Sequence, residues 1–275
     1  MTTLRTELLA QPGLTLPKRR VSFGTVATIV AASLAYLSAF PLLDISPDRF
    51  WRGLSQLGTI ARLMLPPETG GHLALYLDAL VQTLSIALLG TLLASIVALP
   101  LGFLAARNVV ANRVVHLLTR RSMDAFRSID ALIWALIWVN VVGLGPFAGL
   151  LAIATSDVCA LAKLMSEAVE AADRRPVEAT RAVGGSRLLE LRFGLLPQIL
   201  PIFASQLLYF FESNTRSATI IGIVGAGGIG LHLYEQIRVL EWQQASFLIL
   251  LVLVTVALID AISQRLRAGL IGRSR

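Results

Sequence analysis

The sequence predicts an all-α membrane protein with six transmembrane helices, and three observations carry that prediction. The 275 residues are 55% hydrophobic and only 15% charged, whereas a soluble domain carries about a quarter charged residues. The deficit is concentrated: stretches 21–43, 79–106, 131–156 and 217–234 hold no Asp, Glu, Lys or Arg. A hydrocarbon core about 30 Å thick needs about 20 apolar helical residues. A soluble core can hide one such run, but hardly four. Lys and Arg, finally, gather between the apolar runs, where they set membrane topology.

The spans follow in order. Val21–Leu43 comes directly after Lys18-Arg19-Arg20, the charge-then-apolar order of a secretory signal. It is much longer than the roughly 7–15 residues of a cleavable apolar region, so it reads as an uncleaved first helix. Asp44–Gly71 is then an outer segment. Phe50, Trp51, Leu54, Leu57, Ile60, Ala61 and Met64 recur there at helical spacing, with Arg52 and Arg62 off that face. Either a helix lies on the outer membrane surface or against the bundle, ended by Pro66-Pro67, or the segment is a simple spacer.

Leu80–Ala106 is the second span. The apolar run Ala131–Ser156 is interrupted by Gly143-Leu144-Gly145-Pro146, the strongest breaker in the chain. It divides into Ile129–Val142 and Phe147–Met165, two short helices joined by a tight outer turn. Charge supports the division. Arg107, Arg113, Arg120, Arg121 and Arg127 precede the pair, and Lys163, Arg174, Arg175, Arg181, Arg187 and Arg192 follow it. Both groups belong on the cytoplasmic side, so an even number of crossings separates them.

Leu195–Val224 and Ala245–Ile262 complete the six. With both termini inside, 19 of the 24 Lys and Arg residues are cytoplasmic. Arg49, Arg52, Arg62 and Arg238 fall outside, and Arg216 falls within a span. Arg265, Arg267, Arg273 and Arg275 count as tail charges. The expected layout is a cytoplasmic tail 1–20, a first helix 21–43, a periplasmic segment 44–79, a five-helix core 80–264 enclosing a loop 170–197, and a tail 265–275.

Other functions are disfavoured by the residues themselves. The net charge of +7 would suit nucleic acid, but the positives sit where topology needs them. Cys159, the single cysteine, forms no intrachain disulfide. His72, His116 and His232 lack metal-ligand spacing. Gly184-Gly185-Ser186 has no following glycine to make a nucleophile elbow, and nothing supports pairing Ser205 with His232 in an intramembrane hydrolase. Gly225-Ala-Gly-Gly-Ile-Gly230 matches a dinucleotide fingerprint literally. Its membrane-edge setting and the acids at Glu235 and Glu241, too close for that motif, argue instead for close helix packing or a flexible outer gate at Gly225, Gly227, Gly228 and Gly230. No Gly-Lys-Ser/Thr phosphate loop occurs, so any ATP is handled by another chain.

The long loop after the fourth span is the most informative segment. Asp173 can cap a helix, Pro176 suits its first turn, and Gly184-Gly185 ends it. Ser186 can cap a second helix carrying Leu188, Leu189 and Leu191 toward Leu196-Pro197. The result is a short rigid handle.

Here the chain resembles the permeases of binding-protein-dependent ABC importers. Their signature runs Glu-Ala-Ala, three residues, Gly, nine residues, an apolar residue, any residue, Leu-Pro. The matching positions are Glu178-Ala179-Thr180, Gly184 and Leu196-Pro197, with Thr180 and Gly194 as departures. The resemblance implies a six-helix type I ABC importer permease fold in which this loop is a coupling helix seated on an ATPase subunit. Gly143–Gly149, Ser166–Glu170, Leu196-Pro-Gln198, Glu212–Ser217 and Val224–Gly230 narrow it to phosphonate-type permeases. That branch implies uptake of phosphonate, phosphite, hypophosphite or phosphate. Members usually carry a His-Thr or His-Ser pair where this chain has Ser156-Asp157, which puts the preferred anion in doubt.

Glu212 and Arg216 lie within the fifth span, acid first and four apart, the better order for a helical ion pair. Charges there usually face a bundle interior or a water path. Arg216, with Asn214 and Ser217, either offers charge and donors to a crossing anion or packs helices together. Both readings stand.

The sequence therefore leads to a transport permease without covalent chemistry, multi-pass in a bacterial inner membrane with both termini cytoplasmic. The resemblance implies two cytoplasmic ATPase copies that bind ATP and Mg, a periplasmic substrate-binding protein, and a second permease copy forming a homodimer. No cofactor belongs to the chain itself. An ATPase-independent secondary transporter or channel is the competing class, and a permease for another small solute the nearer alternative.

Overall fold

The computed structural model describes residues 23–42, 46–109 and 112–272. Among them every regular element is helical. The helices are α1 (Phe23–Leu42), α2 (Pro47–Leu63), α3 (Leu73–Ala105), α4 (Arg113–Arg127), α5 (Ala131–Val142), α6 (Pro146–Ala171), α7 (Arg175–Ala182), α8 (Arg187–Leu189), α9 (Leu196–Ile221), α10 (Ile229–Arg238) and α11 (Trp242–Gly272). Wider π-helical turns at Glu190–Leu195 and Gly222–Ala226 flank α9.

The chain divides between Ile60 and Ala61 into two units. In the first, α1 is an apolar helix of 20 residues, and most of α2 follows. The segment after α1 is thus helical at 47–63, ending before Pro66-Pro67 as its apolar spacing predicts. The amino-terminal tail 1–20 lies outside the described residues, as do Val21, Leu43, Arg273 and Arg275.

The second unit is built on α3 and α6. Ala79, Thr83, Ala87, Gly90, Thr91, Ala94, Ala98 and Gly102 form one buried stripe of small side chains along α3. A Cβ on Gly90 would stand 2.9 Å from Ile153 Cβ, and one on Gly102 would stand 3.0 Å from the Ala162 carbonyl oxygen. Small residues let the two helices approach this closely, the usual means of helix association where lipid removes the hydrophobic drive. Ile86, Ala152, Ile153, Ala218 and Ile221 continue the core into α9. Large apolar residues such as Val81, Ile96, Leu253 and Leu258 are exposed, as expected where the solvent is lipid.

Among the described residues four helices are long and apolar enough to cross a bilayer, and α4 with α5 make a fifth if their 86° bend is counted as one span; α1, expected as the first span, falls among the shorter apolar helices. Two expectations change here. α5 has 12 residues, about 18 Å at 1.5 Å per residue, so it does not cross by itself. α6, with 26 residues, is not short. The breaker at Gly143–Pro146 does turn the chain, but between one short and one long helix. At its other end α5 is capped by Asp130, which accepts from Leu132 N at 2.8 Å.

The last helix also departs from expectation. It runs from Trp242 to Gly272, so Arg265 and Arg267 are helical residues rather than part of a tail beginning at 265. Likewise α3 begins at Leu73, inside the segment 44–79 assigned to the outer side. At this end of α11, Tyr76 Oη donates to Gln244 Oε1 at 2.6 Å and Ser246 Oγ donates to the Met64 carbonyl at 2.7 Å.

Candidate functional site

Two regions carry polar chemistry: the handle between α6 and α9, and a polar layer where α9 passes α3, α6 and α11. In the handle, Asp173 Oδ1 accepts from Arg175 N at 3.0 Å. The cap thus acts one residue further out than a regular N-cap, since α7 begins at Arg175. Gly184 takes φ +81°, a conformation glycine adopts without steric cost. It lets Gly185 N close on the Thr180 carbonyl at 3.0 Å. The chain then turns back through Ser186 and α8.

Side chains lock the two arms together. Gln198 Oε1 accepts from Asp173 N at 2.9 Å, while Gln198 Nε2 donates to the Asp173 carbonyl at 3.0 Å and the Gly194 carbonyl at 2.6 Å. Arg181 forks onto Glu190, Nε to Oε1 and Nη2 to Oε2, each at 2.9 Å. The bidentate pair gives direction as well as attraction. Those hydrogen bonds hold the Glu190 carboxyl below the ordinary glutamate range. Glu190 precedes the apolar part of α9 and is almost covered, while Arg181 is exposed.

Gly194 explains itself in this geometry. A Cβ there would lie 2.8 Å from Val177 Cα and 3.0 Å from Val177 N. The position where the importer signature carries an apolar side chain is here filled by the backbone of α7. The arms rest in turn on the ends of α3 and α6, where Glu170 Oε1 accepts from Arg107 N at 3.0 Å. A cavity of about 540 Å³ opens between them, lined by Arg107, Arg174, Glu178, Arg187 and Leu195 among others. Glu178 and Ala179 are exposed on α7; Leu196 and Pro197 open α9.

The polar layer is assembled differently. Asn214 Nδ2 donates to Thr91 Oγ1 at 2.9 Å and also to Asp157 Oδ2. All three residues are buried, so they tie α9 to α3 and α6. Of the residues proposed for a substrate path, Asn214 and Asp157 therefore sit in a closed knot. Ser156 and Ser217 are half-buried, and Arg216 is exposed. Within that set Asn214 is bonded to Asp157, and Arg216 to Glu212.

Glu212 meets two arginines. Arg216 Nη1 and Nη2 lie 3.4 Å from Glu212 Oε1, and Arg267 Nη2 lies 3.0 Å from Glu212 Oε2. Arg267 also stands over the Tyr209 ring at 5.9 Å. Reading by sequence placed Arg267 with the tail charges and missed this contact. The available signal was the continued helical spacing of Ile259, Ile262, Ser263 and Leu266 up to Arg267.

The glycine segment is a packed turn. Gly225, Gly227 and Gly228 have φ of +92°, +81° and +78°. The Gly225 carbonyl accepts from Gly145 N at 2.9 Å, Gly228 N donates to Gln82 Oε1 at 2.7 Å, and Ile229 N donates to Thr83 Oγ1 at 2.8 Å. The two breaker segments of the sequence thus interlock against α3. Gly230 presses on α9, where a Cβ would run into the Thr219 carbonyl oxygen.

Residues 98–272, well over half the chain, match the model of the binding-protein-dependent transport system inner membrane component. The chain belongs to that family. This permease is 35% identical over 244 residues to the phosphite transport system permease protein PtxC of Stutzerimonas stutzeri, covering 89% of this chain and 88% of PtxC. It is 35% identical over 253 residues to the phosphate-import permease protein PhnE of Mycolicibacterium smegmatis, covering 92% of this chain and 47% of PhnE. Among solved structures it resembles a chain of the inward-facing MetNI methionine ABC transporter, with TM-score 0.65, 21% identity, and coverage of 74% of this chain and 99% of that one. That likeness concerns the fold. The protein is a multi-pass membrane permease of importer architecture.

Proposed function

We propose that this permease forms the membrane path of an ATP-driven importer for phosphite or a closely related phosphorus oxyanion. The observation that carries the reading is the match to PtxC along nearly the whole of both chains. PhnE of M. smegmatis, at the same identity, is named for phosphate, which keeps the substrate class at small phosphorus oxyanions.

In this reading the handle 173–198 is the coupling element. Glu178, Ala179 and Gly184 face a cytoplasmic ATPase, and Leu196-Pro197 transmits its displacement to α9. The bidentate Arg181–Glu190 pair and the Gln198 clamp support this role, because a lever must be stiff. ATP and Mg belong to two copies of that partner, a periplasmic binding protein delivers the anion, and both termini are cytoplasmic. Two permease copies complete the path; the match to about half of PhnE leaves room in that longer relative for a second unit. Arg216, with the half-buried Ser217 and Ser156, supplies positive charge and hydrogen-bond donors to the passing anion. Gly225, Gly227, Gly228 and Gly230 set the outer end of α9 beside it.

The test is uptake of phosphite by the complete transporter in proteoliposomes with internal ATP. Wild type should accumulate phosphite only with ATP and loaded binding protein. Gly184→Val, strained at positive φ, should lower uptake at least about tenfold with membrane insertion intact. Uptake that needs no ATPase, or ignores Gly184→Val, would instead indicate a secondary transporter or channel.

A further inference from the structure

Two guanidinium groups share the carboxylate of Glu212, one on each oxygen, and they share it unequally. Arg267 makes the closer contact, 3.0 Å to Oε2, and its side chain is 22% exposed; Arg216 has two contacts of 3.4 Å to Oε1, and its side chain is 48% exposed. Tyr209, one turn before Glu212, lies under the Arg267 guanidinium. The face of α9 carrying Tyr209 and Glu212 therefore seats Arg267 by ring stacking and ion pairing together. Arg216 reaches instead toward an open cavity of about 510 Å³, lined mainly by aliphatic residues of α11. Asp260, the acid lining that cavity, accepts from Gln264 Nε2 at 2.9 Å.

We infer that Arg267 is a positioning residue for transport: by occupying Glu212 it leaves Arg216 as the cation presented to the transported anion. Without Arg267, the carboxylate four residues from Arg216 on the same helix would pair fully with it and cancel its charge. The inference rests on the path role proposed for Arg216. It deepens that role, since a lone Arg216–Glu212 pair would be a poor site for an anion. The sharing also solves a solvation problem, because Glu212 is buried and a buried carboxylate needs a full complement of donors.

The experiment measures phosphite uptake by the complete transporter at saturating loaded binding protein, alongside its ATPase rate. Four variants are compared: Arg216→Gln, Arg267→Gln, Glu212→Gln, and the Glu212→Gln/Arg267→Gln double variant. Arg267→Gln should lower uptake about tenfold, the scale of one charge-assisted hydrogen bond, with ATPase activity nearly unchanged. Removing the carboxylate in the double variant should return uptake to the level of Glu212→Gln alone. Helix packing by Arg267 would instead make Glu212→Gln alone as defective as Arg267→Gln, since either change breaks the same contact. Normal uptake by Arg267→Gln, or a defect that Glu212→Gln does not rescue, overturns the inference while leaving the path role of Arg216 in place. Normal uptake by Arg216→Gln overturns the path role itself.

Discussion

The handle and the polar layer are both networks of hydrogen bonds, but they join very different stretches of chain. In the handle, Arg181 meets Glu190 nine residues on, and Asp173 meets Gln198 25 residues on. In the polar layer, Asn214 meets Thr91 across 123 residues and Asp157 across 57, and Glu212 meets Arg267 across 55. The handle is a local object that folds its own sequence into a lever. The layer exists only when four helices have already docked. Damage to the first should spoil coupling and spare the fold; damage to the buried Asn214 knot of the second should spoil the fold.

Asn214→Leu gives the largest expected effect. It removes the donor shared by Asp157 and Thr91 and leaves two buried polar groups facing an apolar side chain. Breaking such an arrangement costs about 3 kcal/mol. Thermal unfolding of the detergent-purified protein should shift down by several degrees, and the yield of assembled transporter should fall. An unchanged unfolding temperature would mean that the knot is dispensable and that the contrast between the two regions is false.

This contrast also decides how much was legible beforehand. Leu80–Ala106 and Ala245–Ile262 are apolar over enough length that bilayer thickness alone marks them, and Gly143–Pro146 announces its turn by residue type. The handle was legible because its caps and breakers are neighbours in sequence. Arg267 was not, because counting charges after the last apolar run treats them as a tail. A long Arg side chain can reach back along its own helix to a buried partner. For Asp157 and Asn214 sequence shows that a polar group lies in a span, while the structure adds that the two are bonded to each other between α6 and α9. Ile129–Val142 was legible as a short helix but not as one unable to cross by itself; the structure trims it to Ala131–Val142 and sets it at 86° to α4.

Gly194→Ala sharpens the handle side of the comparison. Its Cβ would meet the Val177 backbone at 2.8 Å, an atom that cannot rotate away, so α7 must shift outward. Local overpacking of this kind costs about 1–3 kcal/mol, yet the helix core is untouched. Unfolding temperature should therefore stay within about two degrees of wild type, while binding-protein-stimulated uptake falls about tenfold. A fall in both by the same proportion would show that the handle is part of the folding unit rather than a lever attached to it.

Arg181→Ala gives the smallest effect and the finest distinction. Arg181 is 68% exposed and Glu190 only 11%, so the pair is a lid of charge over a nearly covered carboxylate. Solvent screens such a contact, and the expected loss of uptake is about two- to threefold. The Arg181→Glu/Glu190→Arg exchange should recover part of it, because both charges remain within reach, though the Arg187 that helps hold Glu190 then opposes the exchange. Acidification provides an independent reading. Glu190 has a lowered folded-state pKa, so its contribution is complete above the ordinary glutamate range and disappears as pH falls through the lowered value. Handle stiffness, read as protection of the Arg181–Glu190 segment from proteolysis, should therefore be flat through neutral pH and decline only in strong acid. Arg181→Ala should remove that acid step without altering proteolysis of α3 or α6, since neither helix shares a partner with the pair.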